Sequence, residues 1–384
     1  MIRIALSYVL LCLIAGPAVG QKKKMPEGFV PTPGQFAPFE KAKHYAGEII
    51  QVDHVNRRAV ILLDGDYNAG RYSGAPPFKV AMLPYGVIRY RGAPAELRDF
   101  PIGTHVHGYF HLPPEGDTSI PKPTHQAFYV PKENHAILLE DDLSFYQRNG
   151  QTWKVEEIDS KKGMIKVSPA GKKASDGWDG KEQITIDAST RYWKGRGVAE
   201  SKTLTVGEEI QLALTWGPLW RNKQFHVADI WLDEESQKVA AELQRQVHIR
   251  HQKLRWLAGQ IDKVDHHGKT KGVVYVTLFG GMDASLYEEV RQAAEKGQGI
   301  DVAASEKTLL TWRPEYDKKG GPIIAIKEIK DPPFGHSGIQ LKIQLAELLE
   351  GFRPGRVVRV RFPGWPTPLL PTGERAKSIN ARLK

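Results

Sequence analysis

The chain repeats itself at an interval of 106 residues, and this repeat limits its fold more than any other feature of the sequence. An aspartate closes each of three short β-rich runs, which cover Gly47–Asp53, Lys154–Asp159 and Gly259–Asp265. A basic turn and a second β-rich run follow each of them, which is the pattern of a β-hairpin. A fixed period of this kind indicates a row of similar folding units, which we call the first, second and third unit.

A second matched element lies later in the first two units. A short helical turn that ends at a glycine is expected at Ala95–Gly103 and again at Ala199–Gly207. Each glycine opens a strand, and a returning strand closes the unit near residues 126–139 or 225–232. The order strand, strand, strand, short helix, strand, strand is that of the OB barrel. The sequence therefore predicts an all-β dominated fold of tandem OB-like five-stranded barrels, joined by short helices and one long linker helix.

The unit boundaries follow from these matches. We expect a signal peptide at 1–20, a flexible leader at 21–43, barrels at 44–142, 150–232 and 258–331, a linker helix at 233–257, and extra strands with a basic tail at 332–384. Two registers stay open in the third unit. Either it closes near Asp331, or Ala346–Gly355 is the counterpart of the glycine-ended turn and the unit is longer by an insertion.

The linker helix is expected to be amphipathic. Asp233 can cap its start, and the glutamates that follow suit the positive end of the helix dipole. Its apolar residues fall near one face: Val239, Leu243, Val247, Leu254 and Leu257. Basic residues crowd its last turns. They either complement the helix dipole or form an anion-binding edge that includes Arg250, Lys253 and Arg255.

The second unit carries the clearest resemblance to known proteins. The residues Thr190–Trp193 and Val206–Ile210, together with the strand that ends in an aspartate, resemble small OB-like β-barrel domains of unknown function found in exported bacterial proteins. The resemblance covers residues 45–331, although the first unit lacks the Thr-x-Tyr-Trp element. It implies a barrel fold and an exported protein, and it implies no activity, substrate or catalytic residue.

The first twenty residues have the three parts of a secretory signal. Arg3 supplies the positive start, an apolar run follows, and small residues at 18 and 20 place the cleavage before Gln21. The apolar run is shorter than the roughly 20 residues that span a bilayer, so a retained anchor is the less favoured alternative. Cys12 is the only cysteine, and Leu11 before it does not fit a lipoprotein signal. We therefore expect an exported chain, periplasmic or extracellular, with neither thiol nor membrane anchor after cleavage.

Charge and aromatic residues suggest a class of partner. Without the signal the chain keeps 53 basic and 44 acidic residues, a net charge of +9. A positive chain attracts acidic polysaccharide or another envelope polyanion, although modest basicity also serves solubility. OB barrels bind such polymers by stacking on rings beside positive charge. The aromatic residues of the long connection between the second and third strands are candidates: Tyr67, Tyr72 and Trp178.

Three histidines alternate on the expected strand 105–111. His105, His107 and His111 share one parity, and a His-x-His pair can chelate zinc or copper. In the second unit the matching apolar set has the opposite parity, so we expect the histidines to point outward from the barrel. An outward position lacks the enclosed surroundings of a metal site, which makes exposed or partner-packed histidines the competing interpretation.

A calcium loop is the third candidate. Asp64, Asp66 and Asn68 alternate as the first ligands of such a loop do, yet its glycine is one place late and the twelfth position is Ala75. A polar turn is the default interpretation.

No cofactor is required by these patterns, and zinc, copper or calcium at the two candidate sites are the alternatives. The sequence shows neither a nucleophile motif nor a phosphate-binding glycine loop. We therefore expect a non-enzymatic exported binding or scaffolding protein of the cell envelope, with an acidic polysaccharide or another polyanion as its ligand. The alternative is a metal-dependent hydrolase that uses His105, His107 and His111.

Overall fold

The computed structural model describes residues 35–64, 78–112, 133–171, 182–215, 225–303 and 318–366. The expected signal peptide, residues 1–20, and most of the expected leader lie outside these ranges. The strands are β1 Lys43–Asp53, β2 Arg58–Leu63, β3 Phe78–Tyr90, β4 Ala93–Pro94, β5 His105–His111, β6 Asn134–Asp141, β7 Gln151–Asp159, β8 Met164–Gly171, β9 Glu182–Thr185, β10 Arg191–Lys194, β11 Gly197–Ala199, β12 Glu209–Thr215, β13 His226–Trp231, β14 Leu257–His267, β15 Lys271–Phe279, β16 Gly299–Ala303, β17 Lys318–Glu328, β18 His336–Leu345 and β19 Val357–Arg361. The helices are α1 Asp142–Asn149, α2 Glu234–Arg255 and α3 Ala284–Glu295, with 3-10 turns at Phe39–Lys41, Leu97–Asp99 and Ser201–Thr203.

The first two units are closed barrels of the same topology, as the repeat predicts. In barrel 1 the strands follow one another as β1-β2-β3-β6-β5, and β5 returns to β1. Only β3 and β6 run parallel among these pairs. Barrel 2 has the order β7-β8-β9-β13-β12, and β9 and β10 both run parallel to β13. This strand order is consistent with an OB-like barrel, so the fold class expected from the sequence is confirmed.

A β-bulge in the first strand of each unit is the structural basis of the repeat. The pairing with the second strand shifts at Ile49, at Val155 and at Ile261. These positions are 106 residues apart, like the aspartates. A bulge bends a strand and increases its twist. The first strand of a unit can therefore pair with the second strand of that unit at one end and with its fourth strand (β5, β12 or β19) at the other. The 106-residue period therefore marks the position of the bend in the first strand of each barrel.

The third barrel settles which of the two registers is right. It closes as β14-β15-β18-β17-β16-β19, and β19 pairs with β14 as β5 pairs with β1. Gly355 lies before β19 in the position of Gly103 and Gly207. The longer register is therefore correct, and an end of the barrel near Asp331 is wrong. The helix α3 and the hairpin β16–β17 form the insertion, and this hairpin fills the gap between β18 and β19.

Each barrel encloses its own apolar core, and α1 contacts barrel 1 while contributing to the core of barrel 2. Phe145 and Tyr146 on α1 belong to the core of barrel 2, so the helix seals one end of that barrel. The other core residues alternate along the strands, as period-two burial requires. Representative residues are Ile49, Val106 and Leu139 in barrel 1, Trp153, Val155 and Leu212 in barrel 2, and Ile261, Val274 and Val358 in barrel 3.

The end of the leader is folded, which corrects the expectation of flexibility for residues 35–42. Ala37 is fully buried, and its amide donates a hydrogen bond to the Tyr85 hydroxyl over 2.8 Å. The ring of Phe36 lies 4.6 Å from that of Tyr85 in barrel 1 and 6.3 Å from that of Phe279 in barrel 3. Apolar side chains thus hold this segment between the two barrels, because burying them there removes their surface from water.

The long helix α2 has the expected cap and an unexpected buried face. The Asp233 carboxylate accepts a hydrogen bond from the Ser236 amide over 2.8 Å. Leu243 and Val247, which belong to the apolar face expected from the sequence, are 58% and 48% exposed. The buried face is instead polar, with Gln244, His248, His251, Gln252 and Arg255. The hydrophobic pattern of α2 did not predict its buried face, because this helix docks on polar turns. Within the described ranges, no helix is both long and apolar enough to cross a bilayer.

Candidate functional site

The histidines of β5 are buried rather than exposed. His105, His107 and His111 are 3%, 6% and 3% exposed. They lie on the outer side of barrel 1, as their parity predicts, because Val106 and Phe110 point into its core. However, α1 and β12 of the second unit contact β5 on this outer side. A sequence pattern shows which face of a strand points away from its own barrel. It does not show that a second barrel covers that face.

Two of the three histidines converge on the first residue of α1. His105 Nδ1 lies 2.6 Å from Asp142 Oδ1, and His107 Nε2 lies 3.0 Å from the same oxygen. One ligand atom from each of the three residues lies within 4.8 Å of the other two. His111 is not part of this cluster, since it pairs across the sheet with His135 near the opposite end of β5. We call His105, His107 and Asp142 the junction cluster.

The two imidazole rings of the junction cluster are held on their far sides. His105 Nε2 lies 2.7 Å from Asp64 Oδ2, and His107 Nδ1 lies 3.2 Å from His44 Nε2. Asp64 comes just after β2 and His44 belongs to β1, so both supports come from barrel 1. Each ring therefore has one nitrogen directed at Asp142 and the other at a residue that fixes its orientation.

The second unit contacts the Asp142 carboxylate and the His107 ring. The amide of Leu214 on β12 donates to Asp142 Oδ2 over 2.5 Å. The Phe145 ring on α1 stacks on His107, with 3.6 Å between the ring centroids and 5° between the planes. The junction cluster is thus assembled from both barrels, and its shape depends on their docking.

Burial and charge set the protonation of the junction cluster. Burial raises the pKa of Asp142, but the positive charge and hydrogen bond of His105, with those of His107, bring it down to about 2. Burial lowers the pKa of His105, but the carboxylates of Asp142 and Asp64 raise it well above its usual range. The pKa of His107 is lowered by burial, against the pull of Asp142. The raised pKa of His105 favours its protonated form, which pairs with the Asp142 carboxylate.

The chemistry of this cluster is that of a metal ligand set or of a buried ion pair. Two imidazoles and one carboxylate are typical ligands of zinc and other divalent transition metals. All three side chains are buried, so the cluster as it stands offers no surface to a substrate. This burial does not favour the hydrolase alternative, because a catalytic site must admit both water and substrate.

The calcium loop is only partly described. Asp64 lies within the described residues, and its carboxylate contacts His105 Nε2. Asp66 and Asn68 lie outside the described residues, as do the aromatic candidates Tyr67, Tyr72 and Trp178.

The basic end of α2 does not form one exposed edge. Arg250 is exposed, Lys253 Nζ pairs with Glu289 Oε1 over 2.6 Å, and Arg255 is buried. These three residues therefore do not present a joint anion-binding surface. The three residues are close to one another in the sequence. They lie in different environments because α2 docks on barrels 1 and 3.

A basic and aromatic surface lies instead on barrel 3. Tyr275 on β15 stands directly opposite Lys263 on β14 and Lys342 on β18. The two ammonium groups lie 5.4 and 5.3 Å from the centre of the tyrosine ring. The Tyr275 hydroxyl donates to Asp265 Oδ2 over 3.0 Å, which fixes the ring. We call Lys263, Tyr275 and Lys342 the barrel 3 triplet.

A polar cluster lies beside the barrel 3 triplet on the same strands. The Asp262 carboxylate accepts hydrogen bonds from Thr277 and Gln340, both over 2.6 Å, and from Gln260 over 3.4 Å. Polar side chains next to a flat ring are the usual lining of a site that fixes a polar ligand in one orientation.

The barrel 3 triplet is specific to the third unit. The equivalent position in each barrel is found by counting from the bulge of the first strand. Barrels 1 and 2 lack an aromatic ring there and carry at most one lysine. The three sets are Gln51, Val60 and Lys79, then Glu157, Lys166 and Gln183, then Lys263, Tyr275 and Lys342. This surface could not be predicted from the sequence, because Lys342 enters it only in the longer register of the third unit.

The comparisons with known proteins add no relative. No family model matches the chain, and no curated protein and no solved structure matches it either.

Proposed function

We propose that this chain is an exported, non-enzymatic binding and scaffolding protein of the cell envelope whose third barrel binds an acidic polysaccharide. The observation that carries the proposal is the barrel 3 triplet, in which Tyr275 lies between Lys263 and Lys342. OB-like barrels bind oligosaccharides and oligonucleotides around their second and third strands. The triplet occupies the corresponding strands of barrel 3, together with the first.

The chemistry of the triplet suits a charged sugar chain. A tyrosine ring offers flat apolar surface with a polar edge, and a pyranose ring can lie against it. The Lys263 side chain is 64% exposed, and its ammonium group, which pairs with Asp265 over 2.8 Å, would exchange that carboxylate for a sulfate or carboxylate of the polymer. The polar cluster around Asp262 can exchange hydrogen bonds with sugar hydroxyls. The positive net charge of the chain further favours an anionic polymer.

The contacts between units support the scaffolding part of the proposal. α2 is bound to barrel 1 by a hydrogen bond from Gln252 to Glu96 over 2.6 Å. It is also bound to the third unit, where Arg245 pairs with Asp283 over 2.6 Å. A helix anchored at both places keeps the barrels at set positions, which suits a protein that presents a ligand-binding surface.

Export is part of the proposal and rests on the sequence of residues 1–20. The removal of this segment before Gln21 would leave a chain without a cysteine. A protein of this kind depends on its apolar cores rather than on disulfides, and each of the three barrels has such a core.

The hydrolase alternative centres on the β5 histidines. It would require the two docked barrels to open before a substrate could reach His105 or His107. We favour the binding function because the barrel 3 triplet lies at the surface.

A direct binding experiment tests the proposal. The purified chain without residues 1–20 is titrated with a heparin-type sulfated polysaccharide at low salt. Stacking contacts are worth about 1–3 kcal/mol each, so we expect Tyr275→Ala to weaken binding by at least about fivefold. Lys166→Ala removes the residue at the equivalent place in barrel 2 and serves as the matched control. Equal binding by Tyr275→Ala and the unaltered chain would refute this role for barrel 3.

A further inference from the structure

We propose that His105, His107 and Asp142 together bind one zinc ion, which ties barrel 1 to barrel 2 as a structural metal. This inference is independent of the polysaccharide function. It rests on the convergence of two imidazoles and a carboxylate at a buried place where two units meet.

The donor atoms are near the spacing that zinc requires. Zinc binds imidazole nitrogen and carboxylate oxygen at about 2.0–2.2 Å, and two ligands of a tetrahedral ion therefore stand about 3.3 Å apart. The two nitrogens lie 2.6 and 3.0 Å from Asp142 Oδ1. Widening the cluster by about 0.5 Å would admit the ion, a movement within the reach of small rotations of the three side chains.

The outer contacts have the pattern found around metal ligands. A ligating histidine usually donates its other N–H to a carboxylate, a carbonyl or another acceptor, which fixes its tautomer. With Nδ1 of His105 on the metal, its Nε2–H would donate to Asp64. With Nε2 of His107 on the metal, its Nδ1–H would donate to His44. The Leu214 amide already holds the second oxygen of Asp142.

The same contacts explain why only two of the three histidines of β5 take part. His111 has the same parity as the other two and, like them, is buried. It lies near the opposite end of the strand, where the residue across the sheet is His135. His111 therefore provides a matched control, a buried histidine on the same strand that the proposal leaves outside the site.

The location predicts a structural role. His105 and His107 belong to barrel 1, and Asp142 begins the helix whose Phe145 and Tyr146 seal barrel 2. An ion shared by these residues would hold the two barrels together, and its loss would loosen their docking. Since the cluster is buried, zinc should enter slowly and leave slowly.

Metal titration of the whole mature chain tests this proposal. The protein is stripped with a chelator, dialysed and titrated with Zn²⁺, and bound metal is counted by mass spectrometry of the elements. We expect about one zinc per chain. The thermal midpoint should rise by roughly 5 °C when zinc exceeds the dissociation constant a hundredfold. Ca²⁺ should produce neither effect, because it prefers oxygen ligands.

Variants locate the site. His107→Asn and Asp142→Asn should each lose the bound zinc and the rise in thermal midpoint, and His111→Asn should keep both. Circular dichroism establishes that each variant is folded. If His107→Asn does not fold, the decision rests on Asp142→Asn, which keeps an oxygen for the Leu214 amide. The proposal is overturned if the unaltered chain binds less than a tenth of an equivalent of zinc. It is also overturned if His111→Asn loses zinc while the folded junction variants retain it.

Discussion

The amide of Gly207 donates a hydrogen bond to the carbonyl oxygen of Val155 over 2.7 Å, at the bulge of the second barrel. Gly103 makes the same bond to Ile49 over 2.8 Å, and Gly355 makes it to Ile261 over 2.7 Å. All three glycines have positive φ, between 79° and 95°. In every barrel the same glycine hydrogen bond thus connects the start of the fourth strand (β5, β12 or β19) to the bulge of the first strand. The insertion places Gly355 much later in its unit than the other two glycines.

Replacing Gly207 with alanine should destabilise the second barrel through backbone strain alone. Gly207 has a φ of +93°, and a Cβ atom added there would meet nothing within 4 Å. The expected cost is about 1–2 kcal/mol, because a side chain disfavours positive φ. Urea unfolding of Gly207→Ala measures it. Gly197→Ala is the control, since Gly197 also has open space around its Cβ position and lacks a positive φ. A similar loss in both variants would argue against this role of the backbone.

The repeat supplies a second matched pair, Glu96 and Glu200, which occupy equivalent places in the first two units. Glu96 accepts a hydrogen bond from Gln252 on α2, while Glu200 is 72% exposed and pairs with Lys202. We expect Glu96→Ala to cost about 2 kcal/mol, since it removes the acceptor that α2 docks on. Glu200→Ala should cost less than about 0.5 kcal/mol. Chemical unfolding of both variants gives the comparison, and equal stabilities would show that α2 does not depend on this contact.

The interface around α2 should weaken as the pH falls. Burial, with repulsion from Arg255, Arg98 and Arg359 and against the pull of Glu96, lowers the pKa of His251 to about 3. The neutral ring is the one that fits, because its Nδ1 lies 3.2 Å from the Arg98 guanidinium, a donor.

The sign of the pH dependence follows from this shift. The unfolded chain takes up a proton at His251 near pH 6.5, and the folded chain does so only near pH 3. Stability is therefore lost as the pH falls through this window, by about 1.4 kcal/mol per pH unit from this group. His251→Gln should make the slope of unfolding free energy against pH shallower by about that amount between pH 6 and 4. An unchanged slope would show that His251 is protonated in the folded chain.

The first two barrels could be predicted from the sequence because their information is local. Period-two burial, a turn between paired strands and a glycine with positive φ each act within a few residues, and the repeat shows them twice. The end of the third barrel was harder to place. There α3 and the hairpin β16–β17 separate the second strand from the third, and no local pattern states which strand a hairpin will join.

The functional surfaces depend on contacts between distant residues, so they were found only in part. The histidine pattern on β5 was visible, but its partner Asp142 lies on α1, and no local pattern shows that this residue contacts the histidines or which unit buries them. Asp141, one residue before Asp142, caps the start of α1. The barrel 3 triplet joins three strands, and Tyr275 stands out only when its neighbours in the sheet are known.

The salt dependence of polysaccharide binding tests the central claim most directly, because it counts the charges at the binding surface. Each cation that contacts an anionic polymer releases about one counterion, so the logarithm of the binding constant falls linearly with the logarithm of the salt concentration. The double variant Lys263→Gln, Lys342→Gln should bind the sulfated polysaccharide more weakly than the unaltered chain, with a slope smaller by about 2. An identical slope and affinity in the double variant would contradict the claim that barrel 3 holds the polymer.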